Sequence, residues 1–545
     1  MKQSGSVKQN SKSSFDYDTL VIGGGITGAC VLWDSSLRGI KTLLVEKNDF
    51  ASGTSQATSK LIHGGLRYLK NFEIGLVRES LRERRTLAQI SPHAMKTLGF
   101  VIPLYSTLES LMLRAGMEMY DKLSWDRNHE INEDVFIPKY SRWNYEQTVH
   151  QFPKIPRDKL RGAFLYYDYA NVNPERHTTE FIFSALANGA KARNYTQAGK
   201  IEILPGKVGY KVELIDQLTQ KISNIQVRTI VNASGPWADI IETQLGVTSE
   251  KHLVRSKGIH VVVRKLSTED CVVLKKRDKS HLFVIPWRGK TIIGTTDTVY
   301  EEHPDKFRVT KLEIQNLLDE VNHTFGYTKL ELQDVDFYYG GMRPLIEDPT
   351  EKSSTYNASR KSEVLDYAEH GFPGFYSALG GKYTTSRAVA ELVVDQIAAY
   401  LPGNFSICKT SHEPLLGGKY SDQASLCKDL QKKFPKISGE KIEVLAQRYG
   451  SYAFVILQEA VNNETYFTLS GGEKFYPEEV LAIAKKEAIQ SASDFFFRRS
   501  GVGVPGLPEP KSLDGMLSLI AKVKKWSQAR LRQERTQILN RYKIQ

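Results

Sequence analysis

YDTLVIGGGITGACVLWDSSLRGIKTLLVE, residues 17–46, decides the fold of this 545-residue chain. An apolar run, YDTLVI, enters a glycine turn. Residues 26–37 then carry a helical pattern, and KTLLVE at 41–46 is a second apolar run of the kind a buried parallel strand shows. Strand, turn, helix and strand fit within about 30 residues, the size of one dinucleotide-binding unit. Gly23, Gly25 and Gly28, with Gly24 between the first two, spell G-x-G-x-x-G. The first glycine permits the tight turn, the second lets backbone approach a pyrophosphate, and the third lets helix and sheet pack closely. The pyrophosphate then meets free N–H groups at the positive end of the helix dipole. Glu46 closes the second run, where a carboxylate accepts from ribose hydroxyls and repels a 2′-phosphate. This unit predicts a bound dinucleotide without separating FAD from NAD.

Working outward, residues 72–90 form a charged amphipathic helix ended by SPH at 91–93. Residues 101–161 are irregular and rich in aromatics, with one amphipathic helical candidate at 107–125. RTIVNASGPW (228–237) is an apolar strand ending in a turn of small residues, and IHVVV, HLFVIPW and TIIGTTD predict a mainly antiparallel sheet. GFYSALGGKYTTSR (374–387) repeats the strand, Gly-Gly turn and helix start, and LPGN (401–404) ends that helix. Beyond about residue 413 the pattern is charged and helical.

The chain is too long for one core. Its hydrophobic fraction of 41% and charged fraction of 25% are those of an ordinary globular protein. The net charge of +12 suits an anionic substrate or an anionic membrane surface. Nucleic acid is not expected, since no basic tract is interleaved with aromatics. Residues 1–14 are polar and read as a disordered tail, not a signal peptide. No run approaches the roughly 20 apolar residues that span a bilayer. Cys30, Cys271, Cys408 and Cys427 form no CxxC pair, so neither a metal site nor a disulfide framework is expected, and a cytoplasmic setting fits.

Several motifs, in order, resemble one family. IGGGITGACVLWDSSLRG (22–39), TSKLIHGGLRYL (58–69), NASGPW (232–237), FVIPW (283–287), GTTD (294–297), GMRPL (341–345) and GGKYTT (380–385) are similar to FAD-dependent glycerol-3-phosphate dehydrogenases, with a weaker continuation at 487–503. The family usually has glycine and alanine where Cys30 and Leu32 stand, and tyrosine where Ser386 precedes Arg387. These departures flank the motif glycines and Lys382 without replacing them.

The resemblance implies an α/β fold. A discontinuous, Rossmann-like FAD-binding domain is assembled from 15–100, 166–243 and 371–405. A substrate- or membrane-facing insertion occupies 101–165, a substrate domain with a mixed or antiparallel sheet occupies 244–370, and a helical C-terminal domain occupies 413–545. It also implies non-covalent FAD, oxidation of sn-glycerol 3-phosphate to dihydroxyacetone phosphate, hydride transfer to flavin N5, and quinone as acceptor at the inner face of the cell membrane. A homodimer is compatible with it. The nearest alternative is an oxidase that reduces oxygen to hydrogen peroxide. More distant ones are an amino-acid or amine oxidase, which would want a carboxylate clamp, and a non-enzymatic flavin-binding regulator.

A phosphate dianion calls for fixed cations, and the bidentate fork of arginine suits it. Arg67, Arg343 and Arg360, with Tyr68, are the substrate-binding candidates. Lys382, at a helix start after Gly380 and Gly381, would favour negative charge on reduced flavin, and Thr384 and Thr385 cap or donate beside it. His63 and His260 are both candidate bases. Ser59 and Lys60 are expected at the flavin pyrophosphate or ring edge. Gly64 and Gly65 are expected to face the ring, and Ala233 and Gly235 to let the chain pass close to it. The apolar helix within 108–125 and the basic segment 522–543 are the candidate contacts with anionic lipid.

Overall fold

A computed structural model of the chain describes residues 15–544 apart from 154, 248–252, 267–268, 279, 326–328, 347–361 and 461–464. The tail at 1–14 and Arg360 lie outside the described residues.

The opening unit folds into β1 (Tyr17–Ile22), α1 (Ile26–Arg38) and β2 (Thr42–Val45). Both strands have buried cores, as parallel strands covered on two faces must. α1 stops at Gly39, whose left-handed backbone (φ 82) returns its N–H to the carbonyls of Ser35 and Ser36. β1 lies between β2 and the strand Ile222–Asn232, parallel to both, and Phe375–Gly380 extends the parallel set beyond Ile222–Asn232. The sheet runs Ser362–Asp366, Phe375–Gly380, Ile222–Asn232, β1, β2, Lys191–Arg193. α1, Pro174–Ala187 and Ser386–Tyr400 bury their apolar residues with one face of this sheet. An antiparallel meander, Thr196–Ile203 and Tyr210–Asp216, leads into Ile222–Asn232 and shares the other apolar cluster.

The second sheet, ten strands among the described residues, is largely antiparallel. Leu253–Arg264 pairs with Val335–Ile346 so that Ser256, Gly258 and His260 face Arg343, Gly341 and Tyr339. Met95–Leu104 pairs along its whole length with Gly162–Asn171 in this same sheet.

Three expected boundaries therefore move. The limits at 100/101 and 165/166 cut Met95–Leu104 and Gly162–Asn171, both of which belong to the second sheet. Ser362–Asp366, expected in the substrate domain, joins the dinucleotide sheet. Gly99 and Pro103 disguise Met95–Leu104, because proline cannot donate to a ladder. Pro103 lies past Phe100 and Val101, where Cys271–Lys275 pairs on the other side.

Helices of the C-terminal region, Gln423–Lys433, Gly439–Tyr449 and Pro477–Lys486, contribute to a separate apolar cluster. Phe495, Phe496 and Phe497 join the apolar core against the second sheet. No helix among the described residues is long and apolar enough to cross a membrane.

Candidate functional site

The carboxyl ends of β1, β2, Ile222–Asn232 and Phe375–Gly380 converge on a cavity of about 400 Å³. This is where an open α/β sheet places its ligand. Gly23, Gly25, Glu46, Ala233, Gly235, Gly380, Gly381 and Lys382 line it. At Gly23 the backbone is left-handed (φ +113), and a Cβ would stand 2.5 Å from the Ala233 carbonyl oxygen. Only glycine lets these two turns meet. Gly24 donates its N–H to Glu46 Oε2 at 2.8 Å, and Asn48 donates to Glu46 Oε1 at 2.9 Å. Burial pushes the Glu46 carboxyl up against the pull of these two donors. Gly28 packs directly beneath the Gly23 carbonyl.

These features fit FAD: a glycine turn at a helix N-terminus, the close approach of the Ala233 turn, and a half-buried carboxylate just past β2. The sequence reading missed part of the wall. Ser55 Oγ accepts the Ile26 N–H at 2.9 Å, satisfying an orphan donor of α1, and Ser52, Gly53, Thr54 and Thr58 continue the lining. The run of small residues at 51–59 was the available signal. Trp237, the last residue of the NASGPW motif, also lines the cavity, as do Gln197 and Ala198, which no local motif announces.

At the Lys382 end, two side-chain clusters form. In the first, Lys382 Nζ lies 4.0 Å from the centroid of the Tyr68 ring and 3.0 Å from Ser80 Oγ. Arg67 stacks on the same ring at 4.9 Å and donates to Tyr68 Oη at 3.2 Å. Gly65 abuts Tyr68, and a Cβ on it would lie 3.6 Å from Lys382 Nζ. Gly64 donates its N–H to Tyr120 Oη at 3.0 Å, and Tyr120 donates to Asp168, which pairs with buried Arg84. His63, half-buried, directly precedes this glycine pair. Burial and the charges of Lys70, Arg67 and Lys275 hold His281 down at about 4, a mark of the positive field around Arg67.

The second cluster surrounds His260. Its ring stacks on Tyr339 (4.9 Å, 13°), and its Nε2 is 2.9 Å from Ser59 Oγ. Burial, then the Arg343 and Lys60 charges, push His260 down to about 3, so it is neutral at physiological pH. Arg343 donates to Ser256 Oγ at 3.0 Å and Thr295 Oγ1 at 2.7 Å, with Asp297 at 3.6 Å. Gly258 leaves the space that the Arg343 guanidinium fills, and a Cβ on Gly341 would lie 2.5 Å from the Ala57 Cβ. Thr54 meanwhile donates to the Met342 carbonyl at 2.6 Å, tying the Arg343 strand to the cavity wall.

Lys60 departs from expectation. Its ammonium is 1% exposed and bonded to Glu175 at 2.6 Å, with the Trp287 and Tyr339 rings 5.1 and 5.4 Å away. It is a buried ion pair behind the second cluster, not a ligand on the cavity wall. A buried lysine requires such a partner. Ser59 likewise contacts His260 instead of the cavity. Thr384 is buried in the turn Tyr383–Thr385.

Residues 18–396 match the family model described as FAD dependent oxidoreductase, and residues 408–531 match the C-terminal domain of alpha-glycerophosphate oxidase. The chain is 31% identical to an aerobic glycerol-3-phosphate dehydrogenase of Staphylococcus haemolyticus (strain JCSC1435), over 96% of this chain and 93% of the other. It is 35% identical to a glycerol-3-phosphate dehydrogenase of Synechocystis sp. (strain ATCC 27184 / PCC 6803 / Kazusa), covering 74% of each. Among solved structures, the glycerol-3-phosphate dehydrogenase from Bacillus halodurans complexed with FAD superposes with a TM-score of 0.75 at 27% identity, over 98% of this chain and 95% of that one.

Proposed function

Because the chain belongs to the FAD-dependent glycerol-3-phosphate dehydrogenase/oxidase family, we propose that it oxidises sn-glycerol 3-phosphate to dihydroxyacetone phosphate and delivers the electrons to quinone. The observation that carries this reading is the meeting of Lys382, Arg67 and Tyr68 beside the His63–Gly64–Gly65 turn, at one end of the FAD cavity. Bound FAD supplies the two-electron acceptor, N5, for the hydride leaving C2.

The chain supplies the rest. Arg67 and Arg343 bind the phosphate dianion, and Tyr68 orders the cations around it. Arg360 joins this set by the family resemblance alone. Lys382 places positive charge where negative charge develops. His63 takes the hydroxyl proton. His260, buried, stacked and held down at about 3, orients Ser59 and the Arg343 strand instead.

Quinone as acceptor calls for a membrane surface, and the helix Thr107–Leu123 offers one apolar face to solvent through Leu108, Leu111 and Met112. This stripe supports a peripheral membrane position, and the inner, cytoplasmic face follows from the family resemblance alone.

Anaerobic titration of the purified yellow protein with glycerol 3-phosphate tests the substrate: the flavin bleaches with one equivalent. A flavin that stays oxidised removes this substrate. Reoxidation by a soluble quinone faster than by air supports the dehydrogenase, and the reverse order makes the chain an oxidase.

A further inference from the structure

The segment 298–310, from the substrate half of the molecule, makes a contact with the dinucleotide domain that neither the flavin nor the substrate candidates use. Asp305 sits on the short turn Pro304–Lys306, and His303 Nδ1 accepts the Asp305 N–H at 3.3 Å. Asp305 Oδ1 accepts from two residues of the dinucleotide domain, Lys47 Nζ at 2.5 Å and Trp237 Nε1 at 2.8 Å. The Lys47 ammonium lies 4.5 Å from the centroid of the Trp237 ring, so the three side chains close a triangle. All three, with His303, line the FAD cavity.

Their places in the fold matter. Lys47 follows Glu46 at the end of β2, and Trp237 ends the turn after Ile222–Asn232. The triangle therefore reaches across the cavity wall from Lys47, beside Glu46 and three strands from the one that leads to Lys382, to Trp237, whose strand Ile222–Asn232 lies between β1 and Phe375–Gly380. A second link steadies the strap. Arg255 donates to the Pro236 carbonyl at 2.8 Å and to Asp239 at 2.5 Å, and its own carbonyl accepts the Tyr300 N–H at 2.8 Å.

We propose that Asp305, clasped by Lys47 and Trp237, is a cofactor-retaining strap: it closes the ribose end of the cavity, and FAD leaves only after the strap lifts. The proposal rests on the assignment of FAD to this cavity. An isolated exposed ion pair holds little. Here one carboxylate oxygen takes two donors and the ammonium also sits on an indole, which adds to the pair. Yet the Lys47 and Asp305 side chains remain 28% and 55% exposed, so water can replace each contact and the strap can open.

The test uses the holoenzyme. FAD-loaded protein is diluted, and release is followed by the recovery of free-flavin fluorescence. Asp305→Ala and Lys47→Met are expected to release FAD about tenfold faster, since lost contacts act chiefly on dissociation. Trp237→Phe, which keeps an aromatic ring but removes the donor, falls between them and the wild type. Lys306→Ala, on the same turn but outside the triangle, releases at the wild-type rate. The charge-swapped pair Lys47→Glu with Asp305→Lys restores slow release if the contact itself is responsible, which separates the strap from general damage to the fold. Release from Asp305→Ala and Lys47→Met at the wild-type rate overturns the strap while leaving the cofactor assignment intact. A wild-type protein that binds no FAD overturns both.

Discussion

Asp49 and Arg499, 450 positions apart, are joined by a two-pronged buried ion pair at 2.7 and 2.8 Å. Arg498 adds a third bond to the same carboxylate at 2.5 Å. Asp49 lies three residues past Glu46, so the C-terminal region grips the loop that follows Glu46 at the cavity wall. Burial alone would raise the Asp49 carboxyl, but the Arg499 and Arg498 charges outweigh it and hold it at about 2.

Asp49→Asn leaves the Arg499 guanidinium buried without its countercharge, while Arg498 keeps Asp494 at 2.6 Å. Breaking such a pair costs about 3–5 kcal/mol. Denaturant unfolding of the FAD-free protein at pH 7 should show a loss of that order. The sign of the pH dependence follows from the depressed carboxyl. Its contribution is fully present above the unfolded value of about 3.9 and is lost as pH falls through about 2. The gap between wild type and variant should hold constant above pH 5 and shrink only below pH 4. A gap that closes between pH 7 and 5 assigns the effect to another group.

His260 gives the opposite kind of test. Folded, it titrates at about 3; unfolded, near 6.5. Between these values the unfolded chain binds the extra proton, so stability rises with pH across that window and is fully regained above it. His260→Gln should flatten the fall in stability between pH 6.5 and 4.5. His63→Ala should lower turnover by about 10²–10⁴, the range for a lost general base, with the flavin spectrum retained. If His63→Ala keeps full activity, the base lies elsewhere.

What the sequence made legible follows a physical rule. The unit from Tyr17 to Val45 is local: period, turn glycines and the closing carboxylate all lie in one stretch, and the structure folds it within a residue or two of the expected bounds. Gly380, Gly381 and Lys382 were visible for the same reason. Pairings across long separations were not. Nothing near Met95–Leu104 announces Gly162–Asn171, nothing near Asp49 announces Arg499, and nothing near Lys60 announces Glu175. Lys60 is a candidate by its place in the stretch before His63, yet its ammonium is buried against Glu175. One further residue was within reach. On a strand, alternate positions share a face, so Arg343 as a candidate already placed Gly341 and Tyr339 beside it, and Tyr339 is the ring on which His260 stacks.

Lys382→Met tests charge stabilisation at the flavin. Lys382 stands at the N-terminus of the turn that opens Ser386–Tyr400, where dipole and ammonium act together. Removing one such group costs about 10²–10³ in kcat. Anaerobic stopped-flow reduction by glycerol 3-phosphate should slow by that factor with little change in the substrate concentration for half-saturation. A change in half-saturation alone would move Lys382 from charge stabilisation to substrate binding.

The helix Thr107–Leu123 makes the membrane reading testable without the chemistry. Its inner face is anchored: Met117 and Tyr120 are buried, and Tyr120 bonds Gly64 and Asp168. Its outer face sets Leu108, Leu111 and Met112 in solvent, each about two-thirds exposed, at the spacing of one helical stripe. Each such side chain contributes roughly 1.5–3 kcal/mol when fully buried, so immersing this stripe in an interface yields a binding energy that two substitutions can remove. Leu111→Asp with Met112→Asp should weaken sedimentation with anionic phospholipid vesicles at low salt by more than about tenfold, and should leave the FAD content unchanged. The net charge of +12 predicts that salt also releases the wild-type protein. Wild-type protein that stays in the supernatant at low salt removes the membrane surface from the reading, and with it the reason to prefer quinone over oxygen.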